Sequence, residues 1–238
     1  MATMSHQDLI EEVALRLGDP TGADIPYKIL ARLATRAYDR VCRESDCIRR
    51  ETAIPLTLEA DTYDMPDDYL RTFGVVYYDA SNNTRTLVAR SPKTAVDDGP
   101  ASLGGFGDGS YYVVTPVAPA EVGEEPPTRS FRLRIWPWKV QNVVYDADTM
   151  TTDRELRVFH SVVGREVEVG NESAKFIVPD WAGEAVLLEA VASSAPLPAS
   201  KIKDQAGYYR QLADRAVREV KRQSTQHTEA QTPVPTRY

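Results

Sequence analysis

Few residues in this chain of 238 have types suited to chemistry: His6, His160 and His227, Cys42 and Cys47, and adjacent carboxylates such as Asp67/Asp68, Asp97/Asp98 and Glu124/Glu125. A Ser–His–Asp set is spatial, so sequence does not exclude one, but none of the histidines sits in a supporting local motif. The cysteines lie five apart around an expected helix end. With scattered histidines they make no metal cluster and read as buried or free thiols, which fits a reducing place of synthesis. Paired carboxylates could mimic a glycosidase pair, yet neighbours on turns are normally solvated. "GGFGDGS" at 104–110 lacks the preceding strand and following helix of a phosphate cradle, and there is no P-loop or dinucleotide fingerprint. The expectation is no enzyme, no cofactor and no metal.

Charge is more informative than catalysis. Lys28, Arg32, Arg36 and Arg40 recur every four residues, and Arg43 falls in the same sector. On a helix this basic row lies roughly opposite an apolar face of Leu30, Leu33, Ala37 and Val41. Three readings stay open: a solvated face with local partners such as Glu44, an interface to a neighbour's carboxylates, or the lining of a nucleic-acid path. The net charge of −7 argues against general DNA affinity, and no recognition helix or aromatic RNA signature is present. The charge is also uneven. Residues 54–128 hold twelve acidic and four basic side chains, whereas 201–222 hold seven basic and three acidic. Such asymmetry suits complementary contacts between copies, or two unrelated solvated faces.

These residues need elements to position them. Ser5 caps a first helix, ended by Gly18 and Pro20; Asp24 and Pro26 open a second, running to about Ser45. From about 51 to 178 the pattern changes to short β-branched or aromatic runs: "AIPLTL", "TFGVVYYD", "RTLVAR", "SYYVVTP", "FRLRIWPW", "NVVYDAD" and "REVEVG". Gly and Pro crowd 99–127, which reads as two long loops flanking one strand. "TYDMPDDYLR" at 62–71 reads as a corner between strands, with Pro66 as the bend and "DDYLR" as one helical turn. Helix returns at Asp180 with "DWAGEAVLLEAVASSA", apolar all round and hence central, and again over 203–222. "STQHTEAQTPVPTRY" has no apolar period and reads as a flexible arm ending in an aromatic anchor. The expected class is α+β: a four-helix bundle from N-terminal (1–50) and C-terminal (180–222) helix pairs, an inserted antiparallel β region (51–179), and an arm (223–238).

The order of elements resembles the head-to-tail adaptor (connector) proteins of tailed bacteriophages. The likeness rests on "YDMPDDYLR" at Tyr63–Arg71, similar to their "YxLPxDF/YLR" corner, on "FRLRIWPW", on "FIVPDWAGEAVLLEA" and on "AGYYRQLADRAVREVKRQ". Met65 departs from the usual leucine, and the loops at 99–128 are long for the pattern. The resemblance implies a virion protein of the phage neck, made in the host cytoplasm. It implies a ring of twelve copies under the portal protein, extending the channel for double-stranded DNA without sequence recognition and docking a tail or nozzle protein. No membrane is implied. Lys28, Arg32, Arg36, Arg40 and Arg43 would face a neighbour or the channel. Tyr63, Pro66 and Tyr69 would form the corner between regions, and Val234, Pro235 and Tyr238 would anchor the arm. Another neck or tail-completion protein, or a cell-wall hydrolase, remains the alternative.

Overall fold

The computed structural model describes residues 4–57, 60, 62–78, 84–89, 111–116, 131–136, 151–170, 174–175 and 178–231. The chain divides into a helical unit, Met1–Ile48 with Val162–Tyr238, and a β unit, Arg49–Ser161.

Four α-helices are described in the helical unit: α1 (His6–Leu17), α2 (Tyr27–Ser45), α3 (Asp180–Ser194) and α4 (Ala206–Gln231). The expected capping box starts α1: Ser5 Oγ accepts from Asp8 N at 3.1 Å, and the Asp8 carboxylate accepts from Ser5 N at 2.9 Å. Gly18 ends it at φ 81, a left-handed conformation that favours glycine. The turn into α2 is organised by Asp19 rather than by Asp24. Its carboxylate accepts three backbone N–H groups, from Ala23 at 3.0 Å, Asp24 at 3.0 Å and Ile25 at 2.7 Å. The apolar helix α3 packs against α1, α2 and α4, and its Ala185, Val186, Ala190 and Val191 join Leu9, Ile10, Val13, Leu30, Tyr38 and Val217 in one core. The segment "REVEVG" is not a strand. It is held by side chains of the first two helices: Val167 N donates to Thr35 Oγ1 at 2.9 Å, and Glu168 N to His6 Nδ1 at 3.1 Å. Gly164 permits the approach, because a Cβ there would lie 2.8 Å from the backbone nitrogen of Asp39.

The β unit contains seven described strands: β1 (Arg49–Thr57), β2 (Thr62–Asp64), β3 (Tyr69–Tyr78), β4 (Thr84–Ala89), β5 (Tyr111–Pro116), β6 (Phe131–Trp136) and β7 (Thr151–Val162). They form one sheet in the order β1-β7-β3-β4-β5-β6-β2. The pairs β1/β7, β3/β4, β5/β6 and β2/β6 are antiparallel, while β4/β5 is parallel, with Val88 opposite Tyr111. Leu56, Tyr63, Met65, Tyr69, Val75, Leu133, Leu156 and Val158 build a core separate from that of the helices.

The expected architecture, a four-helix bundle with an inserted antiparallel β region, is therefore wrong. The β unit is a seven-stranded mixed sheet, barrel-like in its extent, with its own core. Alternation marks strands but not their direction. A parallel neighbour needs a long connection, and the Gly- and Pro-rich chain between Ala89 and Tyr111, read as a loop, supplies that length. The longest strand, β7, was missed because Arg154, Glu155 and Arg157 mask its alternation, although Leu156, Val158 and His160 point to the core. "NVVYDAD" lies outside the described residues, as does most of 99–128.

Asp19→Ala removes three charge-assisted hydrogen bonds from a buried turn. It should cost about 3 kcal/mol in chemical unfolding, and Asp19→Asn should recover part of that.

Candidate partner-binding surfaces

The basic row of α2 is split by its surroundings. Arg40 turns inward. Its Nη1 donates to both Glu189 oxygens at 3.0 and 2.9 Å, its Nε to Glu44 at 2.7 Å and its Nη2 to Asp214 at 3.2 Å. Arg210, on α4, donates to the same Glu189 through Nη1 at 3.0 and 3.1 Å and through Nη2 at 3.0 Å. Arg43 pairs with Asp39 of its own helix at 2.7 Å. Lys28, Arg32 and Arg36 are exposed, and among the described residues none has an ion-pair partner. Of the five positions, Arg40 ties α2 to its neighbouring helices, Arg43 is taken up by a carboxylate of its own helix, and three stay on the exposed side.

Sequence reasoning missed Glu189, which is 2% exposed. The signal was present: an ionisable residue inside a helix that is apolar all round must find a partner. Arg210 lies among charged residues of the last helix, and only the buried carboxylate distinguishes it from them. Tyr208, in the first turn of α4, is exposed, and its ring meets that of Tyr209 edge-on with centroids 5.6 Å apart.

Tyr63, Pro66 and Tyr69 all lie in the β unit. Met65 N donates to Phe131 O at 2.9 Å and Tyr69 N to Pro66 O at 2.9 Å, so "PDDY" is a tight turn and β3 begins at Tyr69. The expected helical turn over "DDYLR" is not formed, because Tyr69 onward is drawn into the sheet. Tyr63 donates its hydroxyl to Ala60 O at 3.1 Å. The Tyr69 ring meets Phe131 edge-on at 4.9 Å and lies 5.8 Å from the His160 ring, and its hydroxyl shares a hydrogen bond with Thr72 at 2.9 Å. Asp68 reaches back to Arg50 Nη1 at 2.6 Å. The corner therefore closes over His160, a residue to which no sequence motif pointed.

His160 is buried and fully committed. Its Nδ1 faces the Ser161 carbonyl at 3.3 Å and its Nε2 faces the Thr52 hydroxyl at 2.9 Å. A carbonyl only accepts, so the ring carries its proton on Nδ1, and Nε2 accepts from Thr52. Burial lowers its pKa from the ordinary 6.5, and Arg50 acts the same way, against the Ser161 carbonyl and Asp68.

The arm anchors Val234, Pro235 and Tyr238 lie outside the described residues. The start of the arm is corrected. Helix α4 continues nine residues past Arg222 to Gln231, and the buried Ser224 donates to Asp46 O at 3.1 Å. That hydroxyl sits on the apolar stripe of Ala213, Val217 and Val220, four residues after Val220, and so prolongs it with a polar contact. The polar letters "STQHTEAQ" hid the continuation.

Residues 4–237 match the family model of the SU10 adaptor protein. The chain belongs to the SU10 adaptor protein family. It is thus a phage adaptor protein, as the resemblance at Tyr63–Arg71 and along the last two helices implied. No curated protein matches the chain. Among the described residues of the adaptor, no group of histidine, cysteine and acidic side chains is placed to hold a metal ion, and no helix is long and apolar enough to cross a membrane.

A folded pKa below 6.5 means that neutral His160 contributes stability in full above pH 6.5, and that this is lost as pH falls through the lowered folded value. His6 shifts the same way by burial and adds its own share. Melting temperatures between about pH 7.5 and pH 5 should fall in the wild type and fall less steeply in His160→Gln. An equal slope in both proteins would remove His160 from this role.

Proposed function

We propose that this adaptor is the head-to-tail coupler of a tailed phage. Copies of the chain form a ring, twelve in number, beneath the portal protein. The ring continues the channel for double-stranded DNA, without reading its sequence, and offers a docking surface to a tail or nozzle protein. The role is mechanical, with no substrate and no turnover, and its place is the virion neck. The observation that carries this reading is the family match over residues 4–237.

Two further observations give it residues. Lys28, Arg32 and Arg36 present cations on one exposed side of α2, and residues 54–128 carry an excess of carboxylates. A neighbouring subunit's acidic surface is the partner this pattern fits best, because a chain of net charge −7 is a poor general ligand for DNA. The C-terminal residues Val234, Pro235 and Tyr238 suit insertion into a groove of the portal-side partner, with weak binding per arm strengthened by repetition around the ring. The turn at Pro66, held by Tyr63 and Tyr69, keeps β2 and β3 in a fixed relation so that every subunit presents the same surface.

Imaging of the protein in phage particles is the direct test: twelvefold symmetry at the neck is expected, and another symmetry would overturn the stoichiometry. Arg36→Glu should leave the melting curve of the isolated subunit unchanged and lower the yield of rings. Each exposed pair is worth under about 1 kcal/mol, but a ring repeats it at every interface. Ring yield equal to wild type would exclude the basic row from the subunit contact. Truncation after Gln231 should likewise spare subunit stability while sharply reducing attachment to DNA-filled heads in a joining assay. Normal joining would show that the terminal residues bind no partner.

A further inference from the structure

The last turn of α2 places two thiols together. Asp46 ends the helix in a left-handed conformation, φ 50 and ψ 36, and its N–H donates to Cys42 O at 2.9 Å. This is the helix ending in which the chain reverses and the residue after the left-handed one folds back on the residue four before it. An apolar contact usually fills that place. Here both residues are cysteines, Cys42 and Cys47. Both are free and both lie in the core of the helical unit, Cys42 fully enclosed and Cys47 with 7% of its surface at the edge. Ile48 follows at once, and its carbonyl accepts from Val162 N at 3.2 Å, so Cys47 sits one residue from the point where the chain leaves the unit.

We propose that Cys42 and Cys47 are a redox-active pair that closes to an intrachain disulfide when the protein meets a small-molecule disulfide, tying the end of α2 to the segment that follows it.

The geometry gives the two sulfurs different roles. The interaction between the two side chains holds Cys47 below the ordinary thiol range and, together with burial, pushes Cys42 up. Cys47 is thus both the better thiolate and the one that solvent can reach, and it attacks first. Its Sγ bonds to one sulfur of the reagent, the reagent's S–S bond breaks, and the departing thiolate takes up a proton. Cys42 then gives its proton to solvent and its Sγ attacks Cys47 Sγ, which releases the second reagent thiol. Two protein thiols are oxidised by two electrons, and one reagent disulfide becomes two thiols. Synthesis in a reducing cytoplasm leaves the pair open, and release into an oxidising medium closes it.

Full-length protein is incubated with glutathione disulfide, then denatured and treated with an alkylating reagent, and intact and peptide masses are recorded. The expected product has lost two hydrogens, takes up no alkyl group, and yields a peptide bridged between Cys42 and Cys47. Dithiothreitol should restore two alkylatable thiols. Cys42→Ser should trap one glutathione on Cys47, and Cys47→Ser should slow loss of the remaining thiol at least about tenfold. The wild-type result alone decides the matter. Two alkylated thiols after oxidation, or bridges only between chains, would show that the cysteines are inert core side chains.

Discussion

Glu189 imposes the condition on which the helical unit is built. Its carboxylate lies in the middle of α3, where residues 185–188 and 190–192 are all apolar, and its side chain is 3% exposed. A charge so placed is tolerated only when paired and hydrogen-bonded on all sides. Arg40 from α2 and Arg210 from α4 each bring a guanidinium fork to it, Ser193 adds a hydroxyl at 3.3 Å, and Asp214 balances the second positive charge. The forks are planar and directional, so their donors meet the carboxylate oxygens only in particular orientations of the three helices. An apolar residue at 189 could fill the same space, but it would accept several offsets of the helices, as apolar contacts do.

That demand also decides what the surface of the unit offers. The five cations of α2 share a sector, and sequence treats them alike. The buried carboxylate takes Arg40, a local carboxylate takes Arg43, and Lys28, Arg32 and Arg36 are left facing outward. The candidate subunit surface is therefore displaced toward the N-terminal half of α2. The helix ending beyond it, at Asp46, sets the positions of Cys42 and Cys47 and receives the Ser224 hydroxyl of α4. Interior pairing and the exposed cations are two consequences of the same helix.

The β unit solves its own version of the problem with His160. A buried imidazole needs both nitrogens satisfied, and Ser161 and Thr52 do so only when β1 and β7 are in their observed register, Thr52 opposite Val158. The "YDMPDDYLR" corner then lays Tyr69 beside that ring and fastens the turn through Asp68 and Arg50. A short motif that marks the phage adaptors is, in physical terms, a turn with two buried tyrosines and one ion pair.

Sequence by itself determined the two kinds of element and their order. Apolar spacing of three and four marked the helices, the capping box at Ser5 and the glycine at 18 marked the ends of the first, and Pro66 marked a bend. It also determined the family, because the corner and last two helices are local strings of residues. Tertiary structure decided what depends on partners far along the chain. The parallel pairing of β4 and β5, the long β7 with its charged outer face, and the extension of α4 to Gln231 carry no local signature. Nor could spacing reveal which arginine of the row would be consumed, since Glu189 lies 149 residues from Arg40 in the chain. Periodicity reports the face on which a side chain stands; only packing reports what that face meets.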